Sequence, residues 1–226
     1  MKAIILAAGM ARRMRPISSR RHKTLIEIDG RSVISRIIDS LVSNGITDIC
    51  ILTGYRATEL RSAVGREFPE LEVEFIHNSD YETTNNVYSM ALALEQLDFS
   101  EDIVLIESDL VFEPATLARL LDSDEPNVAL VDHYRTGMDG TVVAVSPSGA
   151  ITQVLPPSMQ GEHFDFSDKY KTLNIYKFDA GFCRSTFRGL LSWYARTVDR
   201  TCYYELILGI LIYMQQVEVH AEILDG

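Results

Sequence analysis

Over its first half the chain alternates short apolar runs with segments whose apolar residues recur at helical spacing, and few folds accept that alternation. Lys2–Leu6, Asp48–Leu52, Val73–His77 and Ile103–Glu107 are short enough and apolar enough to be buried strands. Between them, Val33, Ile34, Ile37, Ile38, Leu41 and Val42 repeat at a helical period, with Ser32 placed to cap the start and Gly45 to close the end. Further helices are predicted over Ala57–Val64, around Val87–Leu94, and over Ala115–Leu121 behind Pro114. Strands that alternate with helices build a mostly parallel, Rossmann-like mixed sheet with helices on both faces.

The second half changes character. Thr141–Ser146 and Ile151–Leu155 flank Pro147-Ser148-Gly149 and read as an antiparallel hairpin. Tyr170–Phe178 reads as a strand, and Arg188–Tyr194 and Tyr204–Tyr213 as helices. With 226 residues and no linker, repeat or low-complexity segment, residues 1–226 form one α/β domain with a late antiparallel subregion. The last stretch, Val217–Ile223, alternates like a half-buried strand and runs into Asp225-Gly226, a strong hairpin-turn dipeptide with no returning strand. The ending therefore reads as an unfinished element of a longer protein.

A 46% hydrophobic composition and a mean hydropathy of +0.03 fit a soluble globular chain, and no apolar run is long enough to span a membrane. The apolar start is too soon broken, at Gly9, and too soon basic, from Arg12, to be a signal peptide. Cys50, Cys183 and Cys202 are odd in number and scattered, as expected of reduced thiols in a cytoplasmic protein.

A net charge of −11 argues against general nucleic-acid binding. Yet no acid precedes Glu27, while Lys2, Arg12, Arg13, Arg15, Arg20, Arg21 and Lys23 all do. A solvated surface loop would explain such a block. Its position favours another reading, because the loop follows the first strand, where α/β sheets bind phosphates. It contains one glycine and lacks a Gly-Lys-Ser/Thr ending, so it is neither a P-loop nor a dinucleotide fingerprint. Small residues over positions 7–11 let backbone N–H groups approach a nucleotide, and Arg13 and Lys23 bring charge to a triphosphate.

These residues carry a resemblance. Leu6-Ala7-Ala8-Gly9, then Arg13-Met14, then Lys23-x-Leu25 is similar to the signature of the sugar-nucleotide-type nucleotidyltransferases. Asn78-Ser79-Asp80-Tyr81-Glu82-Thr83-Thr84-Asn85-Asn86-Val87-Tyr88-Ser89 resembles the Asn-rich segment of the CTP:phosphocholine and phosphonate (2-aminoethylphosphonate-type) cytidylyltransferase branch, as does Lys171-Thr172-Leu173-Asn174-Ile175-Tyr176. Two departures stand out. Ala11 replaces a family glycine, which is tolerable while its φ stays negative, and His22 stands where proline is common.

The resemblance implies a nucleotide-diphospho-sugar transferase-like fold and transfer of CMP from CTP to a small phosphonate or phosphate acceptor, with release of pyrophosphate. It implies Arg13 and Lys23 as catalytic cations, and Asp109, after the strand Ile103–Glu107, as a ligand of Mg²⁺. Leu6, Ala8, Gly9, Met10, Ala11, Arg12, Asn78, Thr84, Asn85, Ser89 and Ser108 are the implied nucleotide contacts. Asp139, Lys171, Asn174, Tyr176 and Glu205 are the implied acceptor contacts. The acceptor itself, 2-aminoethylphosphonate or phosphocholine, stays open at this point, as do a homodimer and a fused partner domain. The rival readings are a sugar-1-phosphate nucleotidyltransferase using UTP or dTTP, and a catalytically silent nucleotide sensor.

Overall fold

The computed structural model describes residues 1–11 and 21–224. In chain order the elements are β1 (Lys2–Ala7), the small hairpin β2 (Glu27–Ile28) and β3 (Arg31–Ser32), α1 (Val33–Ser43), β4 (Asp48–Thr53), α2 (Ala57–Glu67) and β5 (Glu74–His77). Then follow α3 (Asn86–Gln96), β6 (Ile103–Glu107), α4 (Pro114–Leu121), β7 (Val128–His133), β8 (Val142–Val145), β9 (Ile151–Leu155) and β10 (Tyr170–Phe178). A π-helical stretch, Cys183–Phe187, leads into α5 (Arg188–Thr197), and α6 (Tyr204–Tyr213) and β11 (His220–Leu224) close the described chain.

The spine of the sheet runs β11-β7-β10-β6-β1-β4-β5. Strand β1 pairs in parallel with β4 on one side and β6 on the other, and β5 extends β4 in parallel. Only β10 runs against this spine, antiparallel to both β6 and β7, while β11 lies parallel to β7 at the edge. The hairpin β8–β9 attaches to β10, giving the expected antiparallel subregion.

The continuous apolar runs follow from burial on both faces. Along β1, Ile4 and Leu6 pack with residues of α3, α5 and α6, whereas Ala3, Ile5 and Ala7 pack with residues of α1, α2 and α4. The helix boundaries have local causes. The Ser32 hydroxyl accepts the Ser35 backbone N–H at 3.2 Å, Gly45 turns the chain out of α1 at φ +78°, and Pro114 opens α4.

Most elements fall within a few residues of their predicted bounds. Strand β7 is not among those marked off by the sequence pattern, and it adds a strand between β10 and the edge. The terminal strand begins at His220 rather than Val217 and pairs in parallel with β7. Asp225 and Gly226, the predicted turn, lie outside the described residues. The three cysteines are free thiols, with Cys50 and Cys183 buried and Cys202 half-buried. No helix among the described residues is long and apolar enough to cross a membrane.

Gly54, just past β4, is where the loop after β1 meets the loop after β5. A Cβ there would lie 2.6 Å from Tyr81 Cβ and 2.7 Å from the Ala8 carbonyl oxygen. Neither atom belongs to a flexible chain end, so both loops would have to move. Gly54→Ala is expected to cost roughly 1–3 kcal/mol of stability, measured by urea unfolding. Unchanged stability would mean the two loops yield freely.

Candidate active site

The carboxyl ends of β1 and β6 open into a cleft of about 1090 Å³ on the face covered by α3 and α6. The chain order reverses at β1, which has β4 on one side and β6 on the other, so the cleft sits at a topological switch point.

Its first wall is the loop after β1. Leu6, Ala8, Gly9, Met10 and Ala11 all line the cleft. One condition set for this loop is not met: Ala11 has φ +45°, in the left-handed region a glycine would occupy without strain. The alanine carries that conformational cost directly at the cleft. Arg12 and Arg13 lie outside the described residues.

His22 fixes the position of Lys23. Its side chain is fully buried, with Nε2 3.1 Å from the Ala7 carbonyl oxygen and Nδ1 3.2 Å from the Thr24 backbone nitrogen and 2.8 Å from Thr24 Oγ1. A carbonyl only accepts and a backbone N–H only donates, so the ring is neutral with its proton on Nε2. Burial is the main reason its pKa falls to about 4, with the neighbouring Lys23 charge adding to the effect. Lys23 emerges from a single 3₁₀ turn, and its Nζ lies 3.1 Å from Asp109 Oδ2, joining the loop after β1 to the end of β6. The Lys23 side chain is largely enclosed, while Asp109 is open to the cleft.

The Asn-rich segment forms the opposite wall. Asn78 is buried and spends its side chain on the loop itself: its amide donates to Thr84 Oγ1 at 3.0 Å and Ser89 Oγ at 3.1 Å, and its Oδ1 accepts the Asp80 N–H at 2.9 Å. Thr84 in turn donates to the Asp80 carbonyl at 2.9 Å. Asn85 caps α3 by accepting the Asn86 N–H, and its backbone N–H reaches Arg200 O at 2.9 Å. Asn78, Thr84, Asn85 and Ser89 all border the cleft, but Asn78 acts there as a brace for the others.

The inner end is acidic. Glu107 ends β6, and its Oε1 accepts from Asn86 Nδ2 at 2.8 Å. The Asn86 Oδ1 accepts the Tyr204 backbone N–H at 2.9 Å, so one side chain ties α3, β6 and the start of α6 together. Glu205, in the first turn of α6, is 4% exposed. Burial pushes the Glu107 carboxyl up to about 8, aided by the Glu205 charge and opposed by Lys23. Burial also raises Glu205, against its own backbone N–H and the charge of Lys171. Lys171 lies in β10; burial lowers its pKa, while Glu205, Asp139 and Asp109 hold its charge.

Asn174 reaches the cleft through a β-bulge. The register between β10 and β7 shifts between Thr172 and Tyr176, Asn174 takes φ +56°, and Thr172 Oγ1 donates to its Oδ1 at 3.0 Å. Asp139, Lys171, Asn174 and Glu205 thus all line the cleft. Two expected contacts do not. Tyr176 is buried, its ring against Phe178 and Tyr204 at centroid distances of 5.5 and 5.9 Å, because α6 covers it. Ser108 is fully buried beneath the floor. Glu107 and Asn86 were not among the expected contacts, although an acid ending an apolar strand is a signal that could have marked Glu107.

A mixed sheet with a loop-walled cleft at its switch point is the arrangement in which open α/β proteins bind their ligands. Residues 3–163 match the MobA-like NTP transferase domain, and the chain belongs to that family. It is 32% identical over 204 residues to the CMP-5'-(3-aminopropyl)phosphonate synthase of Streptomyces rubellomurinus, a match covering 90% of this chain and 32% of that protein. It is 29% identical to the 2-aminoethylphosphonate cytidylyltransferase of Lancefieldella rimae, over 50% of this chain and 46% of that one. The chain thus spans from a third to about half the length of these relatives. The fold matches the CTP:phosphocholine cytidylyltransferase of Streptococcus pneumoniae with a TM-score of 0.78 at 19% identity, over 100% of this chain and 90% of that one. The nucleotide-diphospho-sugar transferase fold is therefore present throughout the described chain.

His22 sets a pH dependence. Its folded pKa of about 4 lies below the ordinary 6.5, so the unfolded state binds the proton first as pH falls. Stability should be lost progressively from about pH 6.5 down to about 4, by roughly 3 kcal/mol at the lower end. Urea unfolding across that range should show a correspondingly flatter profile for His22→Gln than for the natural protein. Parallel profiles would remove His22 from this role.

Proposed function

We propose that this protein transfers CMP from CTP to a small phosphonate or phosphate acceptor and releases pyrophosphate. The observation that carries this reading is the Lys23–Asp109 pair, which sets a cation and a carboxylate side by side where the loop after β1 faces the end of β6. The names of the relatives, a CMP-phosphonate synthase and a cytidylyltransferase, point the same way.

In this reading an acceptor oxygen attacks the α-phosphorus in line. The bond from that phosphorus to the bridging oxygen breaks, and pyrophosphate leaves with the electron pair. The acceptor is already an anion, so no general base is required. The task of the protein is to bring two anions together and offset the charge that builds between them. Lys23 is assigned to the α-phosphate and the acceptor, and Lys171 to the acceptor from the β10 side. Arg13 is assigned to the β- and γ-phosphates. The backbone of residues 8–11 and the donors of Asn85 and Ser89 are assigned to ribose and base.

Asp109 is the residue suited to Mg²⁺. No group of three or more potential metal ligands occurs among the described residues. A single exposed carboxylate beside a triphosphate still fits the way magnesium is held by one or two carboxylates, phosphate oxygens and water. Bound there, the ion would neutralise triphosphate charge.

Lys23→Ala should lower turnover by about a thousandfold or more while the melting profile and circular dichroism stay those of a folded protein. Activity within about tenfold of the natural protein would remove Lys23 from the reaction. Turnover should stop in excess chelator and return with Mg²⁺, and Asp109→Asn should raise the Mg²⁺ concentration needed for half-maximal rate. Full turnover without divalent metal would overturn that assignment. Turnover with CTP but not with UTP or dTTP distinguishes this reading from the sugar-phosphate alternative.

A further inference from the structure

We propose that Arg200 is a positioning residue: it ties the turn between α5 and α6 to the Asn-rich loop, so that a nucleotide held along that loop also sets the wall that the turn gives to the cleft. The inference rests on the nucleotidyl-transfer reading of the cleft and adds a residue that acts through others.

Residues 198–203 join the two helices, and Thr201 and Tyr203 from this turn border the cleft beside Glu205 of α6. The turn is shaped from within, because Asp199 Oδ1 accepts both the backbone N–H and the hydroxyl of Thr201 at 2.7 Å. Those bonds do not decide where the turn lies. Contacts across to the Asn-rich loop do. The Arg200 carbonyl accepts the Asn85 backbone N–H at 2.9 Å, the Arg200 guanidinium donates to the Asp80 carboxylate, and the same guanidinium lies 4.8 Å from the centre of the Tyr88 ring. The bond from the Tyr204 N–H to Asn86 Oδ1 continues the seam by one more tie. Arg196 also lies over Tyr88, at 5.7 Å, but it belongs to α5 and holds the helix rather than the turn.

None of these contacts is strong alone. The Arg200 and Asp80 side chains are 44% and 45% exposed, so solvent screens their attraction. Their value is geometric: a planar guanidinium can face both a carboxylate and a ring only in a narrow range of positions. Asp80 is a fixed partner, because its N–H donates to Asn78 Oδ1 at 2.9 Å and its carbonyl accepts from Thr84 Oγ1 at 2.9 Å. The ion pair is thus anchored on the loop whose end, at Asn85 and Ser89, is assigned to ribose and base. Arg200 spends its side chain on Asp80 and Tyr88, so removing it takes no contact from a substrate. Ordering the loop with a nucleotide should then order the turn, and a second ligand meeting the ordered wall binds more tightly.

The test uses calorimetric titration with a CTP analogue carrying a methylene group between the α- and β-phosphates, in Mg²⁺. The acceptor probes are 2-aminoethylphosphonate and phosphocholine, and the one that supports turnover with CTP is taken forward. In the natural protein the analogue should tighten binding of that probe by about tenfold or more. In Arg200→Ala the tightening should shrink to about threefold or less, with affinity for the analogue alone within about twofold of the natural protein. Asp80→Asn should act in the same direction, and combining it with Arg200→Ala should cause no further loss, as expected of two groups that work as one pair. Full tightening in a folded Arg200→Ala variant overturns the proposal, as does its absence from the natural protein. Equal weakening of analogue and acceptor alike also overturns it, because that is general loosening of the cleft. Turnover with neither probe counts against the nucleotidyl-transfer reading instead, and hydrogen exchange without ligand then decides the role of Arg200 separately. Arg200→Ala should speed exchange at residues 199–205 and 83–88 together by about tenfold or more, with β1 and β6 unchanged. Acceleration confined to one segment, spread equally to β1 and β6, or missing altogether sinks it.

Discussion

The backbone just beyond β1 must find hydrogen-bond partners after its sheet neighbours diverge, and the candidate site is built around how it does so. Along β1, Lys2–Leu6 pair with both β4 and β6, and Ala7 pairs with β4 alone. At the carboxyl end the Ala7 carbonyl is taken by the buried His22 ring and the Ala8 carbonyl by the Tyr55 backbone N–H at 3.0 Å. Buried carbonyls left unpaired would be costly, so these two contacts dictate where the chain goes next. One draws Lys23 over the end of the sheet. The other brings the turn after β4, with Gly54, against Tyr81 of the Asn-rich loop. Two walls of the cleft are thus positioned by the need to satisfy the end of one strand.

The third wall depends on electrostatics as much as on packing. In a chain of net charge −11, further acids in a partly dry cleft raise one another's pKa unless cations or donors intervene. Asn86 intervenes by bridging β6 and α6, and it also supplies the cap that the side chain of Tyr203 does not give to α6. Glu205 gains in addition from its place in the first turn of that helix, where the exposed N–H groups favour negative charge. The acidic end is therefore held in shape before any ligand arrives, which lowers the cost of binding one.

Much of this was legible in the sequence because the strands are short, buried on both faces and punctuated. Ile103–Glu107, Tyr170–Phe178 and Tyr204–Tyr213 fall where the residue pattern puts them. Val128–His133 escapes because its apolar run ends in Asp132 and His133, with no glycine or proline until Gly137 to mark a turn. The residues lining the cleft were legible where they sit in one loop, as in Leu6–Ala11 and Asn78–Ser89. Glu107 and Asn86 were not, because their setting is created by Glu205, a residue about a hundred positions away that α6 carries over the end of β6.

Tyr176 shows the limit most clearly. Alternation along a strand tells which face a side chain occupies, and Asn174 and Tyr176 do share the face that packs against α6. It does not tell how far from the rim of the sheet the side chain stands. The bulge between Thr172 and Tyr176 lifts Asn174 into the left-handed region and aims it at the cleft. Two residues further on, Tyr176 has regained the regular pairing with Ala129 and lies under Tyr204. Asparagine tolerates that backbone conformation better than most residues, which makes the bulge affordable at this position. The one antiparallel strand of the spine is thus what separates a cleft residue from a core residue that the same sequence motif contains, and a bulge of this kind is specified by pairing across the sheet rather than by local sequence.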